Sequence, residues 1–143
     1  MNKTVIKLCA VFLLGFLNSA YACSCSSLSL EEDVNRNLFV FSGQVVKITE
    51  EKNDLHVCFA IDQMWKGPEW ITLVEMECLN VKTNSSSAAC GYPFEKEGKY
   101  FVFADKAGRV SLCSHTKLLS EASEDLQALE KLIPQGMLLI KTP

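Results

Sequence analysis

Six cysteines, Cys23, Cys25, Cys58, Cys78, Cys90 and Cys113, follow an apolar leader and restrict this chain more than any other feature. The leader has the parts of an export signal: Lys3 and Lys7 are its positive start, "LCAVFLLGFL" its apolar stretch, and "AYA" a small-x-small cleavage site just before Cys23. The apolar run is shorter than the about 20 residues that a membrane-spanning helix needs. The expectation is therefore that residues 1–22 are removed, Cys9 with them, and that residues 23–143 form a secreted or periplasmic domain beginning at Cys23. An even set of six in an exported chain implies disulfides, and six cysteines allow fifteen pairings among which counting cannot choose. A lipoprotein acylated at Cys23, held at a membrane, is the rival outcome. Tyr21 and Ala20 suit it poorly, since a leucine three places before the cysteine would be usual.

Of the 143 residues, removal of 22 leaves 121, enough for one core and one domain. Without Lys3 and Lys7 the fourteen basic residues become twelve against seventeen acidic ones, a net charge of −5. That balance argues against nucleic acid or an anionic membrane surface as partner, because either calls for a basic patch.

"SLEEDVNRN" reads as a short helix with Ser29 as N-cap and Glu32 three places on, a capping box. Five segments rich in β-branched and aromatic residues follow at 38–48, 55–65, 70–78, 99–105 and 109–113. In the second, alternation places Val57, Phe59, Ile61 and Trp65 on one face and His56, Ala60 and Asp62 on the other. "KGPE" and "DKAG" read as hairpin links, whereas "LNVKTNSSSAACGYPFEKEG" is a long loop of the kind that is often functional. Near the end, Ala122, Leu126, Leu129, Leu132 and Ile133 fall at helical spacing, so a second helix lays one stripe on the sheet. "MLLIK" after it is left open between a further strand and packing against the sheet.

The expected fold is mostly β: a five-stranded barrel of the oligonucleotide/oligosaccharide-binding (OB) type, with a short N-terminal helix and a C-terminal helix. Closure would remove the sheet edges that an exported monomer must otherwise protect. An open α+β sheet is the alternative.

Several stretches together resemble the inhibitory domain of the tissue inhibitors of metalloproteinases, within the netrin-like superfamily. "CSC" after a signal peptide is similar to that family's Cys-x-Cys start, and "MWKGPE" resembles its Lys-Gly-Pro turn. "SSAACGYPF" resembles its loop cysteine followed by glycine, and "GKYFVFA…RVSLCSH" its last hairpin and second partner cysteine. The likeness runs in order from Cys23 to about Ser114. It implies the barrel just described and the pairings Cys23–Cys90 and Cys25–Cys113, each closing a loop for which chain-entropy reasoning gives roughly 4 kcal/mol. Cys58 and Cys78 have no counterpart in the family pattern. A cross-strand bridge between them is the expectation, although matching Val57, Phe59 and Ile61 to Val74 and Met76 would set the two on opposite faces unless a bulge intervened.

The resemblance also implies a function, an exported inhibitor of zinc metalloendopeptidases that is not itself an enzyme and carries no cofactor. The free amine and the carbonyl of Cys23 would chelate the target's catalytic zinc, displacing the water held at its open position. Ser24 would point into the specificity pocket. Cys23, Ser24 and Cys25 would form the inhibitory ridge, with Ser86, Ser87, Ala88, Ala89 and Cys90 as a flanking contact loop. The thiol of Cys23 is then not the ligand but the anchor that rigidifies the terminus. The chain departs from the family in lacking a second domain, in having only "TEEKND" between its first two strands, and in carrying Ser27 where many members have proline.

Two rivals stand beside this reading. One is an exported netrin-like binding module whose Cys-x-Cys only anchors the terminus. The other is a thiol redox enzyme using Cys23 and Cys25, which no βαβ setting supports. His56 and His115 lack metal-ligand spacing and are expected in structural roles. Asn84 in "NSS" is a glycosylation acceptor where the host modifies exported proteins.

Overall fold

The computed structural model describes residues 23–68, 71, 76–133 and 140–141. The expected leader (1–22) and most of the expected third strand (70–78) lie outside those residues.

Helix α1 (Leu30–Arg36) forms where the capping signal stands. Ser29 Oγ accepts the Glu32 N–H at 3.2 Å, and Glu32 Oε2 accepts the Ser29 N–H at 2.8 Å. Two of the orphan donors of the first turn are thereby satisfied. At the other end, Lys66 Nζ donates to the Val34 carbonyl at 2.6 Å, a cation on the carbonyl-bearing terminus.

Strands β1 (Phe39–Glu51) and β2 (Asp54–Lys66) make one long antiparallel hairpin across a two-residue turn, in which Lys52 takes a positive φ of 57°. Strands β3 (Leu79–Asn84), β4 (Lys99–Ala104) and β5 (Lys117–Leu118) complete a mostly antiparallel sheet in the order β3-β2-β1-β4-β5. A two-residue β6 (Ile140–Lys141) pairs with Met64 and Gln63 of β2, and helix α2 spans Ser123–Leu132.

Two of the expected strand placements change among the described residues. The partner of β2 is Leu79–Asn84, which opens what reads in sequence as a long loop. Residues 67–78 lie between β2 and β3, and the expected "KGPE" link runs into Glu69, which lies outside the described residues. Residues 109–113 are not a strand. Asp105 Oδ1 accepts the N–H groups of Ala107 and Arg109, Gly108 takes φ +71°, and Arg109 then makes a single parallel bridge to Lys82. The last strand is instead the two residues of β5.

The sheet does not close into a barrel among the described residues. The six residues of β3 meet the 108–110 segment through that one bridge, with Lys82 N–H to the Gly108 carbonyl and Val110 N–H to the Lys82 carbonyl, both at 2.8 Å.

Trp65 also departs from simple alternation. The β1–β2 ladder shifts register between Ser42 and Gly43, where Asp62 is an extra residue, and again between Val40 and Phe41. An extra residue reverses the facing of everything beyond it. Met64 thus joins Val57 and Phe59 in one core cluster, while Trp65 enters a second cluster with Val40, Phe101 and Phe103. The two clusters lie on opposite faces, which is why β4 reads as a continuous apolar run: Tyr100, Val102 and Ala104 serve the first, Phe101 and Phe103 the second. Helices α1 and α2 cover the second face through Val34, Leu129 and Ile133. From the expected stripe, Ala122 and Leu129 are fully buried and Leu126 is half-buried, but Leu132 is 40% exposed.

Candidate functional site

The segment from Cys23 to Ser29 precedes α1 without regular structure and is pinned at two points. Cys23 is bridged to Cys90 with Cα atoms 5.2 Å apart, and Cys25 to Cys113 at 5.1 Å. Cys23 is half-buried, whereas Ser24, Cys25, Ser26 and Ser27 are exposed.

The loop that receives Cys23 is a turn stacked on the end of β3. Asn84 Oδ1 accepts the Ser86 N–H at 2.9 Å, so the side chain of the potential glycosylation acceptor is engaged in the turn. Ser87–Ala89 form a single 3₁₀ turn, after which Cys90 adopts a left-handed φ of 62° and donates its N–H to the Ser87 carbonyl. Gly91 follows because nothing else fits: a Cβ there would stand 1.9 Å from the Asn84 carbonyl oxygen. Ser86, Ser87, Ala88 and Ala89 are all exposed beside the bridge.

A lattice of hydrogen bonds, buried at Thr83 and Asp33, holds the two receiving cysteines together. Leu112 N–H donates to the Cys90 carbonyl at 2.8 Å. Thr83, fully buried, accepts the Tyr92 N–H at 2.7 Å and donates to the Val110 carbonyl at 2.9 Å. Tyr92 itself is held in its neutral form, its pKa pushed up to about 12 by burial, with Tyr100 and Glu121 adding to the shift. From the other side, Asp33 of α1 is only 2% exposed and accepts from the His115 N–H at 2.7 Å, from Asn37 Nδ2 at 2.8 Å, and contacts His115 Nδ1 at 3.0 Å. His115 is thereby a tether between α1 and the segment carrying Cys113. His56 faces Glu51 at 3.6 Å on the hairpin tip. Removing the Asp33 carboxyl would leave the half-buried His115 N–H without its acceptor and the buried Asn37 amide with only the Asp33 carbonyl. Asp33→Ala is expected to lower stability by about 3 kcal/mol, read as a fall in the urea midpoint; an unchanged midpoint would contradict the tether.

The third bridge, Cys58–Cys78, has Cα atoms 5.5 Å apart. Cys58 pairs with Asn80 across the β2–β3 ladder, and Cys78, two residues before Asn80, falls on the same outer face. The opposite-face arrangement expected from pairing with Val74 and Met76 does not arise, because β3 begins at Leu79 and no bulge between β2 and β3 is needed. Near the hairpin tip, Arg109 grips Asp54 with two bonds at 2.6 and 3.1 Å, and this contact holds the Asp54 carboxyl below the usual range and raises the guanidinium.

Sequence reading located the cysteines and the Ser86–Ala89 loop but not Asp33, Thr83 or Leu112, which position them. Asp33 reads in sequence as one of three acids in a first helical turn, and nothing local separates it from Glu31 and Glu32. The Cys23, Cys90 and Cys113 sulfurs lie within 4.8 Å of one another, and all are engaged in bridges.

No protein-family model matches the chain, and no match was found among curated proteins. What the structure itself defines is a disulfide-stapled, mostly β protein of the kind built for an oxidising, extracellular-type environment, with three bridges and an exposed Ser24–Ser27 stretch anchored at two of them. Among the described residues no helix is long and apolar enough to cross a membrane.

Proposed function

We propose that this chain is an exported inhibitor of zinc metalloendopeptidases, acting through the amine and carbonyl of Cys23 once residues 1–22 have been removed. The observation that carries the reading is the joint presentation of an exposed Ser24 and an exposed Ser86–Ala89 turn on either side of the Cys23–Cys90 bridge. A terminus held this way loses little further freedom on binding, which is what a two-atom chelate needs to be tight. The target's zinc keeps an open position, and two neighbouring backbone ligands from Cys23 would occupy it and expel its water. Ser24 would enter the pocket meant for a substrate side chain, with Ser86, Ser87, Ala88 and Ala89 flanking the cleft. The α-amine must lose its proton to coordinate, and its ordinary pKa of about 7.7 to 8.0 permits this near neutral pH. The strand order β3-β2-β1-β4, with the 108–110 segment approaching β3 in parallel, supports an OB-like winding beneath this ridge.

One observation favours a second reading, an exported binding module without inhibitory activity. The β1–β2 connection is a two-residue turn, so no long loop there adds to an interface. The test is chemical. Acetylating the α-amine of a chain that begins at Cys23 is expected to abolish inhibition of zinc endopeptidases while leaving the fold intact. Undiminished inhibition by the acetylated protein would remove the chelate from consideration.

A further inference from the structure

The three clustered sulfurs do more than anchor. Cys23 Sγ lies 3.5 Å from Cys113 Sγ, although each is bonded to a different partner, so two disulfides touch through one non-bonded sulfur pair. Of the four cysteines concerned, Cys25 is the exposed one, while Cys23, Cys90 and Cys113 are half-buried. We infer that this pair of bridges is a thiol-exchange site that takes a low-molecular-weight thiol at Cys25 and passes the exchange inward to release Cys90.

Each step conserves atoms and electrons. The incoming thiolate attacks Cys25 Sγ, forming a mixed disulfide and breaking the Cys25–Cys113 bond, with the electron pair leaving on Cys113 as a thiolate. That thiolate starts 3.5 Å from Cys23 Sγ. Because the Cys90 and Cys113 sulfurs lie within 4.8 Å of each other, the Cys113 side chain must swing to come into line with the Cys23–Cys90 bond before it attacks. It attacks Cys23, forms Cys23–Cys113 and expels Cys90 as a thiolate, which takes up the proton given up by the incoming thiol. Cys90 is reduced from disulfide to thiol, and the sulfur of the incoming thiol, oxidised into the mixed disulfide with Cys25, supplies the electrons. The number of disulfides is conserved, one of them now being shared with the small thiol.

The backbone is already arranged for the transfer. The Leu112 N–H bond to the Cys90 carbonyl holds the donor and acceptor segments side by side, so the swap is a side-chain event. Its consequence is positional: the N-terminal segment changes its tether from the Ser86–Cys90 loop to the segment after Val110, and the loop is set free of it. Cys58–Cys78, which joins β2 to the residue before β3, takes no part and serves as the internal control.

The experiment treats the fully oxidised protein with reduced glutathione, quenches with acid, alkylates, and maps linked peptides by mass spectrometry. The expected products carry glutathione on Cys25, a Cys23–Cys113 link, and an alkyl group on Cys90. Alkylation of Cys113 with Cys23–Cys90 intact would overturn the relay, as would inertness up to the glutathione concentration that opens Cys58–Cys78. A second arm uses Cys25→Ser, in which Cys113 is a free thiol from the start. Cys23 is then expected to be shared between Cys90 and Cys113, and exclusive Cys23–Cys90 linkage would also overturn the proposal.

Discussion

A chain carrying one alanine ahead of Cys23 is expected to inhibit zinc endopeptidases at least ~100-fold more weakly than the chain beginning at Cys23, a loss of about 2.7 kcal/mol or more. The extension converts the coordinating amine into an amide nitrogen with no available lone pair, and it moves the new amine about 3.8 Å along the chain, out of the five-membered ring with the Cys23 carbonyl. Nothing else in the protein need change. Residues 23–29 remain held by the Cys23–Cys90 and Cys25–Cys113 bridges, and the Asp33 contacts to His115 lie downstream of the insertion. The measurement is an inhibition titration of both forms beside their thermal melts. Equal potency with equal melting would refute chelation and leave the binding-module reading. Weaker inhibition with a lowered melting temperature would point to a folding defect instead.

The second large effect concerns the core. Phe59→Ala is expected to destabilise the protein by about 3 to 5 kcal/mol. Phe59 is fully buried at the centre of the first cluster, with edge-on ring contacts to Phe41 at 5.4 Å, Phe94 at 5.2 Å and Tyr100 at 6.4 Å. Those neighbours come from β1, from the stretch after Gly91, and from β4, so the cavity left behind has walls on three separate elements that cannot collapse together. A loss of that size takes a large part of the about 5 to 15 kcal/mol that stabilises a typical domain. Urea unfolding with the disulfides kept intact would measure it, and a change below about 1 kcal/mol would show that the cluster repacks around the gap.

Much of the local structure was legible from residues a few places apart. Ser29 and Glu32 announce α1 because a capping box is closed by its own four residues. The apolar runs at 38–48, 55–65 and 99–105 announce β1, β2 and β4, and the serines and alanines before Cys90 announce a loop, whose 3₁₀ turn only the structure shows. The misplaced elements share a cause. Leu79–Asn84 pairs with β2 through neighbours distant in sequence, and its alternating pattern sits next to turn-forming residues that mask it. Residues 109–113 carry a strand-like composition, yet Asp105 and Gly108 bend the chain so that it meets β3 in a single bridge around Arg109, bonded through Gly108 and Val110. The facing of Trp65 turned on an extra residue in the ladder, which becomes visible only when both strands are laid side by side.

By itself the sequence determined a cysteine-rich, mostly β chain with one helix before the strands and one after them, because capping, alternation and composition act over distances of a few residues. Only the tertiary structure decided that the sheet stays open among the described residues, that β3 starts at Leu79 and so brings Cys58 and Cys78 to one face, and that Asp33, Thr83 and Leu112 set the positions of Cys90 and Cys113. Register, edge pairing and sulfur-to-sulfur proximity arise from segments tens of residues apart. Their energies depend on which surfaces meet, and that is settled by the packing of the whole chain.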